Sequence, residues 1–133
     1  IPFMGGEPVA INNENGRAYG HLSAVDVQTG EIRWRYKDPH PMLAGVMSTA
    51  GGVVITGNAE GFILAFDAAT GEEKFRFNSG SGIRSHPVAY KIDGRVFVAV
   101  GSGGGGVVQQ VSGFNPKQPD GSVLLVFELP LAD

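Results

Sequence analysis

Residues 24–34 read AVDVQTGEIRW, and residues 65–75 read AFDAATGEEKF. Extending the two copies to 20–36 (GHLSAVDVQTGEIRWRY) and 61–77 (GFILAFDAATGEEKFRF) aligns seven identities: Gly20/Gly61, Ala24/Ala65, Asp26/Asp67, Thr29/Thr70, Gly30/Gly71, Glu31/Glu72 and Arg35/Arg76. Trp34 is matched by Phe75 and Tyr36 by Phe77. A self-similarity of about forty residues is the period of propeller blades, each a four-stranded sheet. The local chemistry agrees. LSAVDV and ILAFDA have strand composition, the Thr-Gly pair supplies a residue able to take positive φ in a tight turn, and EIRWRY and EEKFRF read as returning strands. Their aromatic residues stand two apart, on one face. Asp26 and Asp67, just before the turn, are placed to accept hydrogen bonds from turn N–H groups.

The remainder continues the scheme. GGVVITGNAEGFILAFD is strand, turn at Asn58–Gly61, strand; HPVAYKIDGRVFVAVGS is strand, Asp93–Gly94 turn, strand; SVLLVFEL is a last strand. Apolar residues recur at spacing two or in short runs, so no helix is expected. Residues 36–46 and the glycine-rich stretch 101–121 read as loops. The 21 Gly and 8 Pro among 133 residues fit many short elements joined by turns. The expectation is an all-β chain forming a partial β-propeller of about two to three four-stranded blades, occupying 1–133 as one segment. A single blade cannot bury both faces, so each terminal ring docks on the neighbouring blade and the stack becomes the core.

Composition narrows the function. The 42% hydrophobic and 17% charged fractions suit a packed core, and the net charge of −3 gives no basic footprint for nucleic acid. Without cysteine, disulfides and thiolate metal sites are excluded. The longest apolar run, SVLLVFELPLA, is interrupted by Glu128 and Pro130 and falls short of a membrane span. The chain opens on Ile1 with no initiator Met or signal-like segment, which suggests a processed product or a segment of a larger protein.

Three ordered stretches resemble a known family: LSAVDVQTGEIRW, then AGVMSTAGGVVITGNAEGFILAFDAATGEEKFRF, then GSGIRSHPVAYKIDGRVFVAV followed by glycines. Over about residues 20 to 128 they are similar to the C-terminal part of pyrroloquinoline quinone (PQQ)-dependent alcohol dehydrogenases, the quinoprotein methanol and ethanol dehydrogenases. The resemblance implies an eight-bladed propeller with PQQ near its axis and Ca²⁺ or a lanthanide beside the quinone. It further implies oxidation of a small alcohol, electron transfer to a cytochrome c, and a periplasmic location. The family's metal ligands, catalytic aspartate and paired cysteines lie upstream of the matching stretch, so no catalytic and no metal-binding residue is assigned here. The segment is expected to need upstream blades of the same protein as partners and to be inactive alone. One cofactor contact maps onto this chain: many relatives carry a Trp where Ala44 stands in MLAGVMSTAGG, close to the edge of PQQ. The resemblance thus implies Ala44, Gly45 and Val46 as the cofactor-facing residues, the last two through their backbone.

Other motifs have plainer readings. GSGGGG (101–106) satisfies G-x-G-x-x-G, but VVQQVSGF after it lacks the helical pattern that a dinucleotide site requires. His21, His40 and His86 have no paired ligand spacing. Ser48, Ser81 and Ser102 sit in no G-x-S-x-G elbow. Arg84, in SGIRSHP, falls where loops gather at one mouth of a propeller; an ordinary surface role is its first reading, and contact with a ligand carboxylate the alternative. The alternative function is a non-enzymatic propeller scaffold or assembly module, like the outer-membrane assembly lipoprotein that shares this type of repeat.

Overall fold

The repeated Asp-x-x-Thr-Gly-Glu stretch folds the same way twice. Asp26 Oδ1 accepts hydrogen bonds from the N–H groups of Gln28 (2.9 Å) and Thr29 (3.2 Å); Asp67 Oδ1 accepts from those of Ala69 (3.0 Å) and Thr70 (2.9 Å). Gly30 and Gly71 close the two turns at φ 74° and 75°, a region costly for any residue with a Cβ. The antiparallel register slips by one residue at the same place in each copy, between Ala24 and Val25 and between Ala65 and Phe66. The expectation that these aspartates serve the turns is met.

A computed structural model describes residues 19–103 and 121–129. Among them are nine strands and no helix: β1 (Gly20–Val25), β2 (Ile32–Asp38), β3 (Met47–Ser48), β4 (Val53–Gly57), β5 (Phe62–Asp67), β6 (Glu73–Asn78), β7 (Val88–Ile92), β8 (Arg95–Ser102) and β9 (Val123–Glu128). They form three antiparallel sheets, β1-β2, β3-β4-β5-β6 and β7-β8-β9, each a meander in chain order. Tyr36–Asp38, expected in a loop, extend β2, and Gly101–Ser102 extend β8; the rest of the glycine-rich stretch to 120 lies outside the described residues.

Alternation along each strand decides what the sheets touch. In β5, Leu64 and Phe66 point one way and Ile63 and Ala65 the other, and all four are buried. Trp34 and Tyr36, from the first sheet, straddle Phe66 with ring centroids 6.1 and 4.9 Å away. The Trp34 indole lies against Gly71, where a Cβ would come within 2.6 Å of the ring, and its Nε1–H donates to the Ala68 carbonyl at 2.9 Å. Phe75 and Phe77, from the second sheet, meet Phe127 edge-on at 5.7 and 5.4 Å. Phe127 thus holds in the third sheet the place of Phe66 in the second, and VLLVFE proves to be a third, diverged copy of FILAFD. The docking role expected of Trp34 and Phe75 holds at both interfaces. Phe75 has no indole N–H, and an apolar cleft of about 380 Å³ remains beside it, bordered by Ile55, Ala65, Phe127 and Leu129.

The end sheets expose what the middle sheet buries. Val25 corresponds to Phe66 and is 52% exposed; Leu124 and Val126 correspond to Ile63 and Ala65 and are 69% and 49% exposed. The core proper lies between the second and third sheets, with Ile55, Ile63, Ala65, Ile83, Val98 and Val100.

The turn carboxylates make stability depend on acid. The Arg33 guanidinium, then the Gln28 and Thr29 N–H groups, hold Asp26 below the ordinary value of 3.8, and hydrogen bonds from Thr70 and Ala69 do the same for Asp67. Glu73 and Glu128 are held down by Arg76 and Arg95. A carboxyl with a lowered folded value stabilises the fold fully above its unfolded value, and that contribution is lost as pH falls through the folded one. The melting temperature should therefore fall as pH drops below about 4. The slope should be shallower in Asp26→Asn/Asp67→Asn; an unchanged slope in thermal melts from pH 6 to 2.5 would clear these two turns of any role.

Candidate functional site

Three segments converge at one end of the second and third sheets: 44–46 before β3, 79–86 before β7, and 101–103 at the end of β8. Asn58 joins them. Apolar β4 runs straight into this buried amide, 1% exposed. Its Oδ1 accepts the Phe62 N–H at 2.9 Å, its carbonyl accepts the Ile83 N–H at 3.0 Å, and its Nδ2 donates to Asp38 Oδ2 at 2.9 Å. Asp38, 2% exposed at the end of β2, also accepts the His40 N–H at 2.9 Å. One asparagine so ties the first sheet, the second sheet and the segment entering the third. A buried carboxylate requires such donors.

Serines complete the frame. Ser79 and Ser102 share a hydroxyl–hydroxyl bond of 2.8 Å, and Ser102 Oγ also contacts the Ser81 carbonyl at 2.8 Å. Ser85 Oγ donates to the Gly101 carbonyl at 2.8 Å and accepts the Gly101 N–H at 2.9 Å. The Gly103 N–H reaches the Gly82 carbonyl at 3.0 Å. In the sequence Asp38, Ser79 and Ser85 carry no signal, Asn58 reads only as the start of a turn, and Ser81 and Ser102 only as lying in no nucleophile elbow; the one local hint is a polar residue directly after VVITG, where a core strand should stop.

The segment 44–46 is tied into this frame. The Gly45 N–H donates to the Ser85 carbonyl at 3.2 Å, and the Gly45 carbonyl accepts Thr56 Oγ1 at 3.0 Å. The His86 imidazole covers its Cα so closely that a Cβ would fall 1.9 Å from Cδ2. Gly45 thus spends its polar groups within the chain. Ala44 is half-buried against the core, and Val46, 55% exposed, faces outward. Beside them a hollow of about 330 Å³ is lined by Arg84, Ser85, Gly101, Ser102 and Gly103.

The remaining candidates stay apart. His21 lies by Tyr19, His40 is 3.8 Å from Glu60, and His86 rests on Gly45. Among the described residues no group of three or more His, Cys, Asp or Glu is arranged to hold a metal ion, and no helix is long and apolar enough to cross a membrane. The Asp93–Gly94 turn forms as expected, with both residues at positive φ.

Comparison with known proteins adds the following. The family model described as outer membrane protein assembly factor BamB matches residues 3–123. The quinoprotein alcohol dehydrogenase PedH of Pseudomonas putida is 40% identical over 119 residues, which cover 84% of this chain and 19% of that protein. The methanol dehydrogenase [cytochrome c] subunit 1 of Paracoccus denitrificans is 39% identical over 87 residues, 65% of this chain and 14% of that one. The crystal structure of the quinohemoprotein alcohol dehydrogenase from Comamonas testosteroni superposes with a TM-score of 0.72 at 33% identity, over 83% of this chain and 16% of that one. The chain therefore spans about a fifth or less of the length of these relatives. Its open, ring-docked sheets are those of a partial propeller.

Proposed function

The chain belongs to the PQQ-repeat family and stands within it among the quinoprotein alcohol dehydrogenases, and from that premise we propose that it forms the C-terminal blades of a periplasmic PQQ-dependent dehydrogenase that oxidises small alcohols and passes the electrons to a cytochrome c. The observation that carries the reading is the convergence of 44–46 with 84–86 at one end of adjoining sheets, pinned by the Gly45–Ser85 bond. In this reading residues 1–133 are one propeller segment, with blade repeats at 20–36 and 61–77.

The residues present suit part of such a site. Val46 offers an apolar side chain to one edge of a planar ring system, Ala44 packs against the core, and Gly45 keeps the loop thin where His86 lies over it. Bound PQQ would supply the two-electron acceptor for alcohol oxidation. This chain's part is to border the ring and keep water from that edge. The base and the ligands of Ca²⁺ or a lanthanide are assigned to blades outside this segment. The exposed faces around Val25 and around Leu124 and Val126 are the places where those blades would dock.

The test is dye-linked alcohol oxidation with PQQ and Ca²⁺ or a lanthanide supplied. The 133-residue chain alone should be silent, and the protein carrying the complete ring should turn over. Turnover by the isolated chain would overthrow the division of labour. No turnover by the complete protein would favour a scaffold or assembly module, the reading that the BamB description of the matching family model favours.

A further inference from the structure

We propose that the apolar cleft between the second and third sheets binds a small, neutral aromatic molecule that carries one N–H donor, indole being the simplest. The inference is independent of the function proposed above. It comes from matching the two sheet interfaces residue by residue. In the first, Trp34 lies against Phe66, and its Nε1–H donates to the Ala68 carbonyl at 2.9 Å. In the second, Phe75 takes the place of Trp34 and Phe127 that of Phe66. The match runs on through the next two residues. Asp67 pairs with Val53 as Glu128 pairs with Phe97. The Ala68 N–H donates to the Gly52 carbonyl at 2.8 Å, as the Leu129 N–H donates to the Val96 carbonyl at 2.9 Å. The backbone of Leu129 is therefore set like that of Ala68, with its carbonyl where the first interface receives an indole N–H. Phe75 has no donor to offer it, and its ring is smaller than an indole.

The walls fix the ligand class. The volume of about 380 Å³ lies in the range of small-molecule sites. Ile55, Ile63, Ala65 and Val98, all buried, supply apolar lining. Two charged residues border the cleft, and both are engaged: Lys74 Nζ with Glu72 at 2.6 Å, and Glu128 with Arg95. An ion entering here would lose its hydration and gain no counter-charge, so the ligand is neutral. An apolar cavity accepts a ring that fits it, and the carbonyl at its border favours an N–H on that ring.

Isothermal titration calorimetry on the complete protein tests this, with indole and benzofuran as the two probes. Benzofuran has the same ring outline, with an ether oxygen in place of the N–H. Indole should bind with a dissociation constant on the order of 0.1–1 mM, as a ligand of its size allows. Benzofuran should bind about fivefold more weakly, the loss expected for one neutral hydrogen bond. Phe75→Trp would bring an indole into the cleft from the chain itself. It should weaken indole binding roughly tenfold or more and raise the melting temperature, as filling a cavity does. Lys91→Ala, on the exposed strand β7, is the control and should change neither probe. Benzofuran binding as tightly as indole would remove the Leu129 carbonyl from the site and overturn the proposed class. Indole binding that ignores Phe75→Trp would lie elsewhere and overturn the site. Binding of neither probe by the wild-type protein would mean that another part of the complete protein fills the cleft, and it too overturns the proposal. The comparison of the two probes needs only the wild-type protein, so it decides the matter even if Phe75→Trp does not fold.

Discussion

Phe66→Ala should destabilise the fold by about 3–5 kcal/mol. The side chain is fully buried, both Trp34 and Tyr36 rest on it, and Leu64 is buried beside it on the same face of β5. Truncation to a methyl leaves two aromatic rings facing a void that the paired strands cannot close, because β4, β5 and β6 are fixed by their ladder. The matched experiment is Val25→Ala. Val25 has the same place in the first copy but is half exposed, so its truncation should cost less than about 1 kcal/mol. Urea denaturation followed by fluorescence measures both, and Trp34, the single tryptophan, reports from this interface. Equal costs at the two positions would show that the rings do not hold the sheets together.

Gly57→Ala should cost about 2–3 kcal/mol, a large penalty for one methyl group. A Cβ at Gly57 would lie 2.5 Å from both Cβ and Cγ2 of Ile83, which is fully buried. Those atoms are next to the backbone and cannot swing aside. Ile83 can retreat only by stretching its N–H bond to the Asn58 carbonyl, and that movement would carry Ser85 away from Gly45. The variant should therefore lose stability and, on the function proposed above, weaken cofactor binding in the complete protein as well. Gly51→Ala is the control: a Cβ there has 3.7 Å to its nearest neighbour, Thr49 Oγ1, and should change stability by less than about 0.5 kcal/mol. Equal effects at the two glycines, measured by urea denaturation, would rule out close approach of the 79–86 segment.

How much of this was legible in the chain depends on how far apart the interacting residues lie. The turn caps span two or three residues, from Asp26 to Thr29 and from Asp67 to Thr70, so the local string states them almost completely. Strand alternation is equally local, and with the repeat it yielded both docking rings. The third copy was harder to see. VLLVFE lacks the Thr-Gly turn that marks the other two, and only the packing of Phe75 and Phe77 on Phe127 reveals the correspondence. The frame of the candidate site was not legible at all. Asp38 meets Asn58 across 20 residues, and Ser79 meets Ser102 across 23. Each of these residue types is common in loops and carries no signature of its partner.

Sequence alone therefore determined the all-β class, the blade-like period, the turn chemistry and the family likeness, because each is written in neighbouring residues or in their repetition. Tertiary structure decided which polar groups are already committed. It turned Gly45 inward to Ser85 and Thr56, left Val46 outside, and placed Arg84 as the charged wall of a hollow. A buried N–H or carbonyl must find a partner, and which partner it finds depends on how the sheets stack.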